Sequence, residues 1–276
     1  MSWLGHLNLQ YSLDGRRTIA LDRHHGPLRV LQRLYPEGEA VCHHVLVHPP
    51  GGIVGGDVLE INAELASGTH ALITTPGATR YYRSAGQTAA QRVQARLEPG
   101  ARLEWLPMET IAYRQCIAEN RLRFELAPGA EMIGWDLLAL GLPAANEHWD
   151  RGRYAQRLEL PDVWLEQAVI DAEDRRLLDS PVGWAGHRVL GTLWFTAGTA
   201  LPNAQRTELL DRARAAIGTS ALAGLAGATA PHARTVVLRV LADRVEPAMQ
   251  LLVAVRNAWR AMAWQLEPHA PRIWRT

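Results

Sequence analysis

Short apolar runs alternate with polar residues through the first 200 positions, and glycine or proline separates one run from the next. The alternation is clear in residues 7–11, 58–65 and 91–97. A period of two places successive side chains on opposite faces of a strand, so each run predicts a half-buried β-strand. Residues 41–48 also predict a strong strand, which leads directly into a stretch rich in glycine and proline.

One strand-turn-strand unit is repeated weakly along this β-rich part. Glu98-Pro99-Gly100 precedes Leu103-Glu104-Trp105, and Ala127-Pro128-Gly129 precedes Met132-Ile133-Gly134-Trp135. Repeated units of this kind favour stacked sheets or a solenoid. We therefore expect a mainly β, stacked-sheet, β-helix-like scaffold.

Two helices are predicted near the C-terminus, over residues 203–217 and from Pro247 to about residue 264. They pack at the edge of the scaffold in this prediction. We expect one domain over residues 1–276, with a β-rich scaffold over 1–200 and a helical part over 201–276. The apolar stripe of the second helix includes Trp259, which we take as a candidate partner surface.

Composition excludes several functions. The charges balance, with 29 basic and 28 acidic residues, so no net field favours nucleic acid or an anionic membrane. No lysine is present, which excludes Schiff-base lysine chemistry and a Walker-type phosphate lysine. Two cysteines make no disulfide framework, and no apolar run spans a bilayer. A cytoplasmic location is the default expectation.

The most constrained stretch is His48-Pro49-Pro50-Gly51-Gly52-Ile53-Val54-Gly55-Gly56-Asp57. It is not a phosphate-binding loop, because it lacks the Lys-Ser/Thr ending and a strand pattern follows it instead of a helix. It is either only a tight turn between strands or a backbone segment of fixed shape that places the carboxylate of Asp57 on an internal surface.

Three residues suggest contact with a metal: Cys42, His44 and His48. Cys42 and His44 are neighbours on one face of a strand, but His44 and His48 lie ~13 Å apart along an extended chain. We therefore predict no permanent metal site and only a weak contact. Imidazole and thiolate both suit nickel.

Four carboxylates, Glu104, Glu109, Asp136 and Glu166, lie in apolar strand sequence. Two arrangements are compatible with this pattern. Either each carboxylate faces solvent on the polar side of its strand, or several of them point inward and line a hydrated polar channel. Paired-carboxylate catalysis also stays open.

One further segment combines aromatic and cationic side chains. Tyr81, Tyr82 and Arg83 form either an exposed patch for a partner or a strand edge with one ring in the core.

Four long motifs, in order, resemble the urease accessory protein UreD family, called UreH in some organisms. They are Gly26-Pro27-Leu28-Arg29-Val30 with Leu34-Tyr35-Pro36-Glu37-Gly38; Cys42-His43 leading to the stretch that ends at Asp57; Leu72-Ile73-Thr74-Thr75-Pro76-Gly77-Ala78-Thr79-Arg80 with Tyr82-Arg83-Ser84; and Leu103-Glu104-Trp105-Leu106-Pro107-Met108-Glu109-Thr110-Ile111. A looser match continues through Gly134-Trp135-Asp136 and Gly141-Leu142-Pro143-Ala144-Ala145. The chain departs from the family at Met108, where Gln is common, at Leu142, where Arg is common, and at Asn146-Glu147, where Gly-Glu is common.

The resemblance implies a scaffold that is not an enzyme. Such proteins bind UreF, recruit the GTPase UreG and dock on apo-urease, and nickel(II) in transit passes through an internal tunnel. No cofactor is permanently bound. By motif position, Asp57, Asp136 and Glu166 are the candidates for the nickel path.

Three alternatives compete with this interpretation. One is a metallochaperone that holds nickel at Cys42, His44 and His48. Another is a β-rich hydrolase that uses carboxylates such as Glu104 and Glu109. The third is a structural adaptor with no metal path.

Overall fold

The computed structural model describes residues 2–142, 145 and 147–275. Pro143, Ala144 and Asn146, which belong to the looser part of the family resemblance and its departures, lie outside the described residues. In chain order the strands are β1 (Leu4–Asp14), β2 (Arg17–His25), β3 (Arg29–Val30), β4 (Val41–Val47), β5 (Val58–Leu65), β6 (His70–Thr74), β7 (Thr79–Tyr81), β8 (Ala89–Leu97), β9 (Arg102–Leu106), β10 (Thr110–Ala112), β11 (Ile117–Leu126), β12 (Glu131–Leu140), β13 (Arg153–Leu160), β14 (Trp164–Asp171), β15 (Val189–Ala197), β16 (Ala226–His232) and β17 (Thr235–Ala242). The helices are α1 (Arg175–Asp179), α2 (Asn203–Gly218) and α3 (Val245–Trp264), followed by a 3-10 turn at Arg272–Arg275.

The strands form two sheets that stack as the sequence predicts. The front sheet has the order β14-β13-β11-β8-β5-β1-β2, and the back sheet has the order β16-β17-β15-β12-β9-β6-β4-β3, with β7 and β10 beside β12. The pairs β5–β8 and β8–β11 of the front sheet are parallel, and so are β6–β9 and β9–β12 of the back sheet. Successive coils therefore add one strand to each sheet, which confirms a β-helix-like arrangement.

The turns between the two sheets repeat in space. Gly68, Gly100 and Gly129 each adopt a positive φ, of 73°, 73° and 80°. A Cβ on Gly100 would lie 3.7 Å from the backbone nitrogen of Gly68, so consecutive turns stack directly. Glycine tolerates this left-handed conformation without a steric cost. The repeated Pro-Gly turn in the sequence is thus the corner of each coil.

Helices α2 and α3 pack against the outer face of the back sheet. Leu251, Leu252 and Val255 of α3 are buried there. Trp259 is fully buried as well, and its indole Nε1 donates a hydrogen bond to the carbonyl of Leu209 on α2 at 2.7 Å. The prediction that Trp259 belongs to a partner surface is therefore wrong, because its apolar stripe is covered by the chain's own sheet and helix.

The C-terminal quarter is less uniformly helical than predicted. Strands β16 and β17 lie between α2 and α3 and complete one edge of the back sheet. Helix α3 begins at Val245, two residues before the predicted start at Pro247. Residues 235–242 form a nearly continuous apolar run, which is typical of a strand buried on both faces.

A buried group of charges ties α3 to the back sheet. The guanidinium of Arg256 donates from Nε to Glu104 Oε2 at 2.7 Å, and Arg260 Nε donates to Glu104 Oε1 at 3.1 Å. All three side chains are fully buried. Burial alone would raise the pKa of Glu104, but the charge of Arg256, the bond with His70 and the charge of Arg260 bring this pKa down to about 2. Glu104 is therefore a fixed anion on the helix side of the sheet.

The same arginines extend the network to the N-terminal half and to the tail. Arg260 also pairs with Glu37, whose Oε1 lies 2.7 Å from Nε2 of His43. Nη1 of Arg256 donates to the carbonyl of His269 at 2.7 Å, and Nη1 of Arg260 donates to the carbonyl of Glu267 at 2.8 Å. The segment after α3 is thus held against the sheet by backbone contacts to buried arginines.

Replacing Glu104 by Gln should destabilise the protein by about 3 kcal/mol or more, because two buried guanidiniums lose their counter-charge. Denaturant unfolding followed by circular dichroism measures this. The matched control is Glu125→Gln, since Glu125 pairs with Arg96 on the exposed face of the front sheet. The free energy of unfolding of this control should fall by less than about 1 kcal/mol. Equal losses for the two variants would contradict the proposed dependence on the buried network.

Candidate functional site

Two rows of polar side chains face each other between the sheets, three from each sheet. Within each row the residues are register partners on neighbouring strands, so they project to the same face. The core around them is otherwise largely apolar. We call this set the polar seam, formed by Gln91, Asn120 and Gln156 of β8, β11 and β13 and by Asp136, Thr192 and Arg239 of β12, β15 and β17.

Hydrogen bonds connect the two rows at Asp136. Nε2 of Gln91 donates to Oδ1 of Asn120 at 3.3 Å, and Nδ2 of Asn120 donates to Oδ1 of Asp136 at 3.1 Å. Nε2 of Gln156 donates to Oδ2 of Asp136 at 2.6 Å. Both carboxylate oxygens of Asp136 are therefore engaged by neutral amides, which orient the carboxylate without neutralising its charge.

Asp136 is electrostatically unlike Glu104. Burial raises the pKa of Asp136 to about 6; the charge of Glu166 also raises it, and the amide donors of Gln156 and Asn120 lower it. A carboxylate with this pKa exchanges its proton near neutral pH. Perturbed carboxylates inside a protein are frequent at functional sites.

The wall of the seam near Asp136 is aromatic. Tyr81 and Tyr154 are fully buried, with ring centroids 5.8 Å apart, and the charge of Asp136 contributes to the raised pKa of each phenol. The hydroxyl of Tyr81 donates to the carbonyl of Glu119 at 3.2 Å. Of the two alternatives for Tyr81, Tyr82 and Arg83, the structure therefore supports the strand edge with one ring in the core, and Tyr81 does not belong to a partner surface.

A cavity of about 270 Å³ adjoins one end of the seam, and Gln91 belongs to both. Its lining is mainly apolar but includes His48 and Trp105. Within the described part of the chain, His48 Nε2 and Trp105 Nε1 are buried without a hydrogen-bond partner. The volume is sufficient for several water molecules, which would satisfy these groups.

Asp57 lies beside this cavity and holds the glycine-rich turn. Its Oδ1 accepts from the backbone N–H of Trp3 at 2.9 Å, and its Oδ2 accepts from that of Val54 at 3.2 Å. Burial lowers the pKa of His48, and the charge of Asp57 acts in the opposite direction. The predicted tight turn is present, with positive φ at Gly51 and Gly56. Asp57 is buried as expected, but it is not among the residues that line the cavity.

The other end of the seam reaches solvent at Glu166. Nε of Arg239 lies 3.1 Å from Oε2 and 3.3 Å from Oε1 of Glu166, and Nη2 of the same arginine also contacts Oε2. The side chain of Glu166 is 25% exposed and that of Arg239 is 49% exposed. Of the three predicted path carboxylates, Asp136 lies within the seam and Glu166 lies at its solvent end, whereas Asp57 lies beside the cavity without lining it.

The cysteine and histidines proposed as metal contacts do not form a closed site. Within residues 2–142, 145 and 147–275, no group of three or more His, Cys, Asp or Glu side chains is placed to hold a metal ion. Nδ1 of His44 lies 2.7 Å from the hydroxyl of Tyr11, and burial lowers the pKa of His44 to about 4. Burial raises the pKa of Cys42, which disfavours the thiolate that binds metals.

The remaining predicted residues lie on surfaces or outside the seam. Tyr82 is half-buried, with its ring 5.2 Å from that of Tyr113, and Arg83 is exposed beside it. Glu104 faces the helices and is saturated by arginines, whereas Glu109 lines a surface groove next to the start of α3. The carboxylates proposed for a hydrolase therefore do not form the arrangement that paired-carboxylate catalysis requires.

Sequence analysis missed the amides and the arginine of the seam. Asn120 lies two positions from Ala118 and two from Leu122, so the strand period places all three side chains on one face. Because Ala118 and Leu122 are apolar and buried, this spacing is a sequence signal that Asn120 points inward. Arg239 lies two positions after Val237, which is in the core between the sheets, so the same period places Arg239 on the inward face.

Comparison with known proteins gives one consistent family. The family model described as UreD urease accessory protein matches residues 4–275. A protein of Leptothrix cholodnii named urease accessory protein UreD is 70% identical and covers 100% of both chains. Proteins with the same name from Variovorax paradoxus and Paracidovorax citrulli are 59% and 56% identical and cover 100% and 99% of both chains. No helix among the described residues is long and apolar enough to cross a membrane.

The raised pKa of Asp136 makes stability depend on pH. The pKa of Asp136 is about 6 in the folded protein, against an ordinary value of 3.8. Between pH 3.8 and about pH 6, the folded state therefore binds more protons than the unfolded chain. The free energy of unfolding should therefore fall as pH rises through this window. Asp136→Asn removes this dependence, so the variant should gain roughly 3 kcal/mol relative to the wild type from about pH 4 to about pH 7. Denaturant unfolding at several pH values measures the difference, and a difference that stays constant would contradict the assignment.

Proposed function

This chain belongs to the UreD urease accessory protein family, and we propose that it is a scaffold that conducts nickel(II) to apo-urease. In this proposal it binds UreF, and the pair recruits the GTPase UreG to the urease subunits. The chain's relatives are named as accessory proteins, which is consistent with a role other than catalysis. Nickel is the cargo of the scaffold and not a resident cofactor.

The observation that carries the proposal is the continuity of the polar seam. Hydrogen bonds run from Gln91, which lines the cavity that contains His48, through Asn120 to Asp136. From Asp136 the register row continues through Thr192 to Arg239, whose guanidinium pairs with the solvent-accessible carboxylate of Glu166. An apolar core would exclude a divalent ion because of the cost of removing its water. Imidazole nitrogen suits nickel, and carboxylate and amide oxygens can replace part of the ion's water shell.

The spacing of these ligands favours transit over storage. A closed site with four converging ligands would trap the ion. The described residues instead present single carboxylates separated by neutral amides. Because the pKa of Asp136 is about 6, protons compete with a metal ion for this carboxylate at slightly acidic pH. Weak, separated ligands let nickel move onward.

The aromatic surface outside the seam is our candidate for partner contact. Tyr82, Arg83 and Tyr113 line an open depression together with Val54 of the glycine-rich turn. Gly52 leaves the room that the ring of Tyr82 occupies. Aromatic and arginine side chains are enriched in protein interfaces. This surface lies over the turn that contains Asp57, so a partner bound here would be close to the cavity end of the seam.

The proposal is tested by co-expressing urease with its accessory proteins and this chain. With Asp136→Asn, pull-down of UreF, UreG and urease subunits should be unchanged, while nickel per urease active site should fall several-fold. Gln156→Met, which puts an apolar side chain into the seam, should do the same. The matched control is Glu64→Gln on the outer face of the front sheet, where Glu64 accepts a hydrogen bond from Gln10. Wild-type nickel content in both seam variants would overturn the proposed passage.

A further inference from the structure

Arg239 is the only cationic side chain among the six residues of the polar seam. It lies in the same register row as Asp136 and Thr192, across strands β12, β15 and β17. Its guanidinium contacts both carboxylate oxygens of Glu166 on the opposite sheet. The guanidinium carbon also lies 5.8 Å from the ring centroid of Trp164. A cation therefore occupies the end of a path that we propose for cations.

This contact changes what Glu166 can bind. When both oxygens of a carboxylate accept from one guanidinium, the pair is geometrically specific and its charge is neutralised locally. Glu166 is consequently not free to coordinate a divalent ion unless Arg239 moves away. Since about half of the Arg239 side chain is exposed, it can leave Glu166 for solvent without being buried elsewhere.

Without Arg239, Glu166 would be an uncompensated carboxylate at the solvent end of the seam, and its charge would add to that of Asp136 farther inside. Glu166 is close enough for its charge to influence the pKa of Asp136. Two uncompensated carboxylates attract a divalent ion more strongly than one, and strong binding would slow its departure. An exposed ion pair contributes little to stability, so its exchange for a metal contact costs little.

We propose that Arg239 is a displaceable counter-ion that positions Glu166 and prevents the solvent end of the seam from retaining a divalent cation. It is a positioning residue, because it acts through Glu166 and does not bind the ion. The inference rests on the proposed nickel passage. It adds an exchange step in which the ion takes the place of the guanidinium at Glu166 and the guanidinium returns when the ion leaves.

The test is titration of Ni²⁺ into the purified, tag-free full chain, followed by calorimetry. Arg239→Gln should bind Ni²⁺ about fivefold more tightly than the wild type, as expected for loss of a partly exposed ion pair. The double variant Arg239→Gln with Glu166→Gln should lose this gain. Arg239→Lys, which keeps the charge, should return towards wild-type affinity. Exposed histidines such as His24 and His25 contribute equally to all variants.

The matched control is Arg157→Gln, because Arg157 pairs with Glu159 on the outer face of the same front sheet. This control should leave Ni²⁺ affinity unchanged. Unchanged or weaker binding by Arg239→Gln would overturn the inference, and so would a gain that persists when Glu166 is also replaced. The nickel content of urease with Asp136→Asn tests the passage separately and does not enter this titration, so the two proposals can fail independently.

Discussion

The parallel register of the stacked coils is the constraint on which the rest of the structure depends. Each coil places equivalent positions directly over those of the coil before it, as the stacked turns at Gly68, Gly100 and Gly129 show. Polar side chains at one register position therefore face the same way and lie beside one another on neighbouring strands. Asn120 has Gln91 on one side and Gln156 on the other. The front row of the polar seam follows from this geometry, since one polar position on each of three neighbouring strands produces a polar row in an otherwise apolar core.

The back sheet separates two buried polar systems with opposite properties. On its helix side, Glu104 is saturated by Arg256 and Arg260, and its pKa is about 2. On its inner side, Asp136 is held only by neutral amides, and its pKa is about 6. The first system has matched charges and fixes where α3 and the tail lie. The second adjoins a cavity with unpartnered polar atoms, so it retains the capacity to accept an ion.

Sequence reasoning predicted the stacked β architecture, the turn at residues 48–57 and the two long helices, because these depend on local patterns. It also named Asp136 and Glu166, which the fold places at the seam, and Asp57, which the fold places beside the adjoining cavity; their role on a nickel path stays a prediction. It could not assign the face of each strand, since alternation alone does not distinguish the seam from the helix side. Glu104 and Asp136 therefore looked alike. The partners that distinguish them are distant in sequence: Arg256 is 152 positions from Glu104, and Arg239 is 73 positions from Glu166. The burial of Trp259 was missed for the same reason, and alternation could not decide whether Tyr81 is exposed or lies in the core.

The most direct test of the central claim is anomalous diffraction at the nickel absorption edge from crystals of the full chain soaked in Ni²⁺. A passage along the seam predicts partly occupied nickel positions between the two sheets, near His48, Asp136 and Glu166. Nickel found only at exposed histidines, with none between the sheets, would contradict the account.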